Sequence, residues 1–237
     1  MHLGYYVQQQ MDAGKLSRRR FLRNMGAMGL SGLALGLSPG IATAKGFRGE
    51  GEMNMSSGED WIDTFFTGGA DAIIHYYADN FVFEDITLFQ TISNKEELHA
   101  AFVPFNNAGP DSPAGVHQFD IVRYDGGKAG AHKGVLRAEK PEGYTDEEFE
   151  KLSQDIKLGA DLAYDEFAVM NWLWKAKHNQ DFLGLPAKGK TTVTRGITFH
   201  LYKDRKVVRE FTFWNFRSVA IQLGALEPQQ QFWKKKA

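Results

Sequence analysis

The stretch Phe167-Ala-Val-Met-Asn-Trp-Leu-Trp-Lys-Ala-Lys177 decides the fold of this chain, because it has the side-chain alternation of a long β-strand. Successive side chains of a strand point to opposite faces, so one face receives Met170, Trp172, Trp174 and Ala176. Two further strands are predicted after it, at 192–202 and 207–215. Together they predict a curved antiparallel sheet around a small-molecule pocket.

The turn at Asp204-Arg205-Lys206 joins the last two strands, and its length sets which residues face each other. With a three-residue loop the facing pairs are Lys203 with Val207, His200 with Glu210, and Thr198 with Thr212. A two-residue loop shifts the register by one and breaks all of these pairs. The predicted register therefore determines whether an imidazole and a carboxylate meet on one face.

Composition favours one substantial domain, since the chain has 237 residues and is 43% hydrophobic. The 28 basic and 29 acidic residues nearly cancel, and no basic face with stacking aromatics is present, so nucleic-acid binding is not predicted. Cysteine is absent, which excludes disulfides and thiolate chemistry. No stretch of about 20 residues is apolar enough to predict a permanent membrane span.

The N-terminus has the features of an export signal. Ser17-Arg18-Arg19-Arg20-Phe21-Leu22-Arg23 has the twin-arginine pattern, the apolar stretch 26–37 follows, and Ala42-Thr43-Ala44 supplies small residues for cleavage. We expect the twin-arginine export machinery to recognise the chain, with cleavage after Ala44 and a periplasmic or secreted location. Removing 1–44 takes five of the 28 basic residues and one of the 29 acids, which leaves a formal charge of −5.

The remaining chain divides into a linker at 45–58, a domain at 59–228 and a polar tail at 229–237. The predicted elements before the long strands are two short helices within 61–78 that meet at Gly68-Gly69, a strand at 81–86, a helix at 95–105 capped by Asn94, and a strand at 116–124. The segment 126–160 is predicted to be an insertion with a helix from Thr145 to Leu158. We expect it to cover the pocket or to form a contact surface.

Several stretches together resemble the SnoaL-like polyketide cyclases, within the nuclear transport factor 2-like folds. They are Tyr76–Asp85, His178 with the loop Asp181–Lys190, Arg195-Gly196, and Gln222-Leu223-Gly224. Their order and spacing are more specific than any one of them. The resemblance covers most of the chain from about Trp61 to Leu226, interrupted by the insertion.

The resemblance implies an α+β cone, in which a strongly bent antiparallel sheet wraps around N-terminal helices and encloses an apolar cavity. It also implies a homodimer formed through the outer face of the sheet. Such cyclases close rings by aldol chemistry with a carboxylate on the final strand and a polar partner on the preceding one. Aligning on Gln222-Leu223-Gly224 puts Thr212 and Thr198 at those two positions, and threonine is not a base near neutral pH.

A replacement acid/base pair is predicted from the register. His200 and Glu210 share the face of Thr198 and Thr212, so the carboxylate orients an imidazole whose titration range suits proton transfer. The alternative is a cross-strand ion pair that stabilises the sheet. Asp85 is a second candidate acid at a strand end, and its alternative role is to cap the following turn.

The predicted ligand-binding residues are aromatic, histidine and threonine side chains of the predicted strands and of the segments next to them. They are Tyr76, Tyr77, Trp172, Trp174, His178, Thr198, Thr212 and Trp214. Half or more of the aromatic residues are equally well explained as core, and the alternative for His178 is a hydrogen bond to the following loop. The sequence predicts neither a metal site nor an organic cofactor, because no His-Glu-x-x-His pattern, phosphate loop or nucleotide fingerprint is present.

Two functions remain open at this point. The first is an exported enzyme that cyclises, isomerises or dehydrates a small, largely apolar carbonyl compound. The second is a noncatalytic module that binds a ligand or a partner. The architecture itself hosts both classes of function.

Overall fold

The computed structural model describes residues 46–47, 51–105, 115–129, 139–228 and 230. Its helices are α1 (Met55–Ile73), α2 (Lys95–Phe102), α3 (Asp146–Lys157) and α4 (Phe216–Gln222), with 3-10 turns at Ile74–Tyr76 and Val103–Phe105. None of these helices is long and apolar enough to cross a membrane. The predicted signal at 1–44 and the end of the predicted tail, 231–237, lie outside the described residues.

The strands form one six-stranded sheet in the order β2-β1-β6-β5-β4-β3. They are β1 (Tyr77–Asp85), β2 (Gln90–Ile92), β3 (Val116–Lys128), β4 (Glu166–Lys177), β5 (Thr191–Lys203) and β6 (Lys206–Trp214). The predicted α+β class, with one curved sheet and helices against it, is confirmed. The pair of β1 and β6 is parallel, so the expectation of a wholly antiparallel sheet is wrong. No hairpin joins these two strands, and therefore no turn imposes an antiparallel direction.

Helix α1 packs against the inner face of the sheet and begins earlier than predicted. Asn54 caps it, and Met53 is already buried, so part of the predicted linker at 45–58 belongs to the folded domain. A Cβ at Gly58 would lie 2.9 Å from the sulfur of Met170, which shows how closely the helix approaches β4. The predicted glycine bend is confirmed at Gly69, whose φ of 67° kinks the helix.

Within the predicted insertion at 126–160, residues 126–128 extend strand β3, and helix α3 lies on the outer face of the sheet. Helix α3 starts with a capping box between Thr145 and Glu148, as its acidic first turn predicts. Arg209 of β6 donates hydrogen bonds to the carbonyl oxygens of Leu158 and Asp155 near the end of that helix. None of the insertion residues that the structure describes lines the cavity, so within this part the expectation of a pocket cover is wrong.

The β5–β6 hairpin has the predicted register next to the cavity, but its turn differs from the predicted one. Its loop has two residues, Asp204 and Arg205, with φ of 49° and 58°, as in a type I′ turn. The predicted three-residue turn and the pair of Lys203 with Val207 are therefore wrong, since Lys203 faces Lys206. A β-bulge at Val208 then shifts the register by one residue.

The shifted register produces the two pairs that matter for the site. His200 faces Glu210 and Thr198 faces Thr212, as predicted. A two-residue loop was expected to break these pairs, and that expectation is wrong because the bulge compensates for the shorter turn.

Candidate functional site

The inner face of the sheet and helices α1 and α2 enclose an aromatic cavity of about 70 Å³. Its lining is predominantly apolar and includes three tryptophans of the sheet. The apolar lining residues are Trp61, Ile62, Phe65, Phe83, Ala101, Phe102, Phe105, Phe119, Met170, Trp172, Trp174 and Trp214. The polar lining residues are Asp85, Gln90, Thr198, Glu210 and Thr212. The predicted cavity lined by rings is therefore present.

Glu210 places a buried carboxylate in this apolar wall. Its side chain is 3% exposed, and its contacts with Tyr77 and His200 both involve Oε2. Tyr77 donates a short hydrogen bond to Oε2, and Nε2 of His200 lies 3.0 Å from the same oxygen. Among the described residues, Oε1 has no comparable contact. The carboxylate is thus held from behind through one oxygen while its residue lines the cavity.

His200 lies behind Glu210 and does not line the cavity. Its side chain is fully buried, Nδ1 lies 2.8 Å from the Tyr202 hydroxyl, and its ring packs edge-on against Trp61. The contact of Nε2 with Glu210 has a hydrogen-bond distance but not the alignment of a hydrogen bond. The predicted pair is therefore close in space, but only the carboxylate lines the cavity and the imidazole lies behind it.

Asp85 is the second carboxylate that lines the cavity. Its Oδ2 accepts a hydrogen bond from Trp214 Nε1 at 3.0 Å, and its Oδ1 accepts one from the Leu88 backbone at 3.0 Å. Burial raises the pKa of Asp85, and the Glu210 charge raises it further, while the two hydrogen bonds oppose the shift. The predicted turn cap is therefore present, and the side chain also borders the cavity, where its role as an acid stays a prediction.

Thr198 and Thr212 form a hydroxyl pair in the wall beside Asp85. Their Oγ1 atoms are 2.8 Å apart, and Trp172 donates its Nε1–H to Thr198 at 3.0 Å. Gly196 allows this arrangement, because a Cβ there would lie 2.3 Å from the indole ring of Trp172. Asp85 faces Thr212 across the parallel pair of β1 and β6, so the polar groups form a row across three strands.

Three predicted ligand-binding residues do not line the cavity. Tyr76 donates to Asp60 at 2.9 Å and belongs to the core around α1. Tyr77 contacts Glu210 from behind. His178 is buried, with Nε2 2.8 Å from Thr192 Oγ1, and its backbone bonds to Lys190 and Gly189 close the following loop. These residues sit where the chain enters or leaves the sheet, which explains why they point away from the cavity.

Several of the residues that carry the resemblance to the cyclases have structural roles. The side-chain amide of Gln222 forms two hydrogen bonds with the backbone of Val193, and Lys190 Nζ donates to the Leu223 carbonyl oxygen. These contacts attach α4 to β5 and to the 181–190 loop. Among the residues that the structure describes, no group of three His, Asp or Glu side chains is arranged as a metal site.

More than half of the cavity-lining residues that the structure describes were not predicted from the sequence. The missed residues are Ile62, Phe65, Phe83, Gln90, Ala101, Phe102, Phe105, Phe119 and Met170, together with Trp61. Trp61 and Phe65 recur at helical spacing and Phe119 and Met170 at strand spacing, so the pattern marked them as packed. It did not distinguish cavity wall from solid core, because both require buried apolar side chains.

No protein-family model and no curated protein matches this sequence. Solved structures that resemble the chain include TsrD from Streptomyces laurentii, with 13% identity, a TM-score of 0.45, and coverage of 73% of this chain and 99% of TsrD. Another is AclR, a candidate hydroxylase from Streptomyces galilaeus, with 14% identity, a TM-score of 0.44, and coverage of 73% and 85%. A candidate SnoaL-like polyketide cyclase from Shewanella putrefaciens has 12% identity, a TM-score of 0.42, and coverage of 70% and 82%.

Proposed function

We propose that this protein binds a small, largely apolar carbonyl compound in the aromatic cavity and moves a proton on it with Glu210. The reaction class is cyclisation, isomerisation or dehydration by general acid/base catalysis, which requires no cofactor. We also propose that the protein is related to the SnoaL-like cyclases, that the twin-arginine machinery exports it, and that it forms a homodimer. The geometry of the cavity supports the proposed acid/base chemistry.

The supporting observation is the position of the Glu210 carboxylate. Burying a carboxylate costs several kcal/mol unless other groups compensate for its lost hydration. Here Tyr77 and His200 both approach Oε2. Oε1 is left for a group in the cavity. A carboxylate held at one oxygen, in a wall of aromatic rings, is suited to take a proton from a carbon next to a carbonyl.

The polar row of Asp85, Thr212 and Thr198 supplies the groups that would hold the carbonyl oxygen. Because burial raises the pKa of Asp85, its protonated form is more populated than on an exposed aspartate, and that form donates a hydrogen bond. The Thr212 hydroxyl lies next to it in register. We assign Asp85 and Thr212 to the oxygen, Glu210 to the proton, and Trp172, Trp174 and Trp214 to the apolar part of the ligand.

The size of the cavity limits the ligand. With a volume of about 70 Å³ the cavity is small, so a larger compound requires side chains to move or must extend through the opening. We therefore choose 2-butanone as a probe, since it contains four carbons and one carbonyl oxygen. It is a fragment of the proposed ligand class.

The test follows exchange of the α-protons of 2-butanone in D₂O by proton NMR. We expect the wild-type protein to accelerate the exchange and Glu210→Gln to reduce the accelerated rate at least ~100-fold, because general base catalysis contributes that much. Glu84→Gln is the matched control, since Glu84 is equally buried but lies on the outer face. Equal rates in wild type and Glu210→Gln would remove Glu210 from the chemistry.

The noncatalytic module remains the second candidate function, and one observation favours it. Thr198 and Thr212 form a closed hydroxyl pair at the positions where the family resemblance implies an acid and its partner. If the protein only binds, 2-butanone will perturb the NMR signals of the cavity residues while its α-protons exchange at the buffer rate. Binding without exchange would therefore select this second function.

A further inference from the structure

Four polar side chains form a buried cluster on the side of Glu210 that faces away from the cavity. As whole residues, Tyr77, His200, Tyr202 and Glu210 are each at most 2% exposed. Burying such groups in an apolar core is costly, and the cost is met only when their donors and acceptors are matched. The cluster therefore constrains where each proton lies.

The proton of His200 has one favourable position. Nε2 lies 3.0 Å from Oε2 of Glu210, and an unprotonated Nε2 would place its lone pair against the carboxylate oxygen. Two bare acceptors at that distance repel each other. A proton on Nε2 turns the same contact into an attraction, even though its alignment falls short of a hydrogen bond.

The other ring nitrogen must then accept a hydrogen bond. In a neutral imidazole with Nε2 protonated, Nδ1 carries only a lone pair. The Tyr202 hydroxyl lies 2.8 Å from Nδ1. Burial raises the pKa of Tyr202 well above its ordinary value, so this hydroxyl keeps its proton and can donate it to Nδ1.

We propose that Tyr202 is a positioning residue that sets the tautomer of His200. Its hydroxyl donates to Nδ1 and thereby keeps the proton on Nε2, where it faces Oε2 of Glu210. With the opposite tautomer, His200 would repel the carboxylate. The importance of this for catalysis rests on the proposed role of Glu210, but the tautomer itself is a property of the free protein.

The test is ¹⁵N NMR of the ligand-free protein labelled at histidine, with the His200 signals identified by their loss in His200→Gln. In the wild type at neutral pH we expect Nε2 to have the shift of a protonated nitrogen and Nδ1 that of an unprotonated one. In Tyr202→Phe we expect the Nδ1 signal to shift, because Nδ1 loses its donor and gains a proton in part of the population.

Tyr76→Phe is the matched control, since it removes the hydroxyl of an equally buried tyrosine that bonds to Asp60 instead. We expect it to leave the His200 signals unchanged. Protonated Nδ1 in the wild type, or unchanged His200 signals in Tyr202→Phe, would overturn the proposal. The wild-type spectrum is decisive even if Tyr202→Phe fails to fold.

The tautomer of His200 and the proposed function of Glu210 are tested by separate experiments. The NMR experiment uses no ligand, whereas the exchange experiment uses 2-butanone and does not report the tautomer. A wild-type tautomer as expected, together with no loss of exchange in Glu210→Gln, would retain this inference and reject the proposed chemistry. The reverse pair of results would retain the chemistry and reject the role of Tyr202.

Discussion

Glu84 and Asp85 are consecutive residues of β1, but they project to opposite faces of the sheet and have different surroundings. Glu84, on the outer face, lies 3.4 Å from Arg209 Nη2. Asp85, on the inner face, receives only neutral N–H donors from Trp214 and Leu88. Burial raises the pKa of both carboxyl groups, but only Glu84 has a cation that opposes the shift.

The difference separates a carboxylate with a charged structural partner, Glu84, from one that we propose to act on a ligand, Asp85. Glu84 with Arg209 joins the sheet to the end of α3, because Arg209 also bonds to the carbonyl oxygens of Leu158 and Asp155. Asp85 and Glu210 border the cavity, and the lining residues that the structure describes include no arginine or lysine. Buried carboxyl groups without a cation are costly for stability, and groups with a shifted pKa, such as Asp85, cluster at functional sites.

The largest effect is expected from breaking the outer pair. Arg209→Met keeps most of the apolar stem but leaves Glu84 buried without its cation, so we expect a loss of about 3 kcal/mol in the free energy of unfolding. Urea unfolding measures it. Arg123→Met is the control, because the pair of Arg123 with Asp125 is exposed and should contribute less than about 1 kcal/mol. A loss no larger than that of the control would show that the outer pair is not structural.

The outer face is also where we expect the homodimer to form. Ile197 and Phe213 face each other across β5 and β6 and are 38% and 41% exposed. Ile197→Asp would bury an unpaired charge in the interface, so we expect at least ~10-fold weaker dimerisation by analytical ultracentrifugation. Phe89→Asp, at the exposed β1–β2 turn, is the control. A wild-type monomer, or equal effects of both variants, would contradict this use of the outer face.

The smallest effect concerns Asp85 and depends on pH. Because its pKa is raised in the folded protein, the group stabilises the fold below its unfolded pKa, and this contribution is lost as pH rises through the folded value. Asp85→Asn removes the titration. We therefore expect the variant to gain stability relative to wild type as pH rises above the unfolded pKa of about 4, by less than the Arg209→Met loss. A stability difference that is constant with pH would argue against the raised pKa.

The sequence predicted the elements well where the side-chain period was clear. The alternation in Phe167–Lys177 gave both the strand and the face that carries Trp172 and Trp174, and Asn94 marked the start of α2 through its cap. Two of the three predicted facing pairs on β5 and β6 are present, whereas the predicted turn and the pair of Lys203 with Val207 are wrong. A bulge at Val208 compensates for a shorter turn, and such a bulge leaves no distinct pattern in a run of β-forming residues.

The site was less predictable than the fold. Glu210, Asp85 and the threonine pair are located as strand alternation implies, because period two fixes the face of each residue. The positions of Tyr76, Tyr77 and His178 depended on how the chain enters and leaves the sheet, which alternation does not describe. The parallel pairing of β1 with β6, which sets Asp85 beside Thr212, joins segments more than a hundred residues apart in sequence. No local signal reports such a contact.

The most direct measurement of the central claim is a crystal structure of the protein with 2-butanone bound. If Glu210 moves the proton, the carbonyl oxygen will lie within hydrogen-bond distance of Asp85 or Thr212, and an α-carbon will face Oε1 of Glu210. Density for 2-butanone only outside the cavity, or inside it with the α-carbons away from Glu210, would contradict the account.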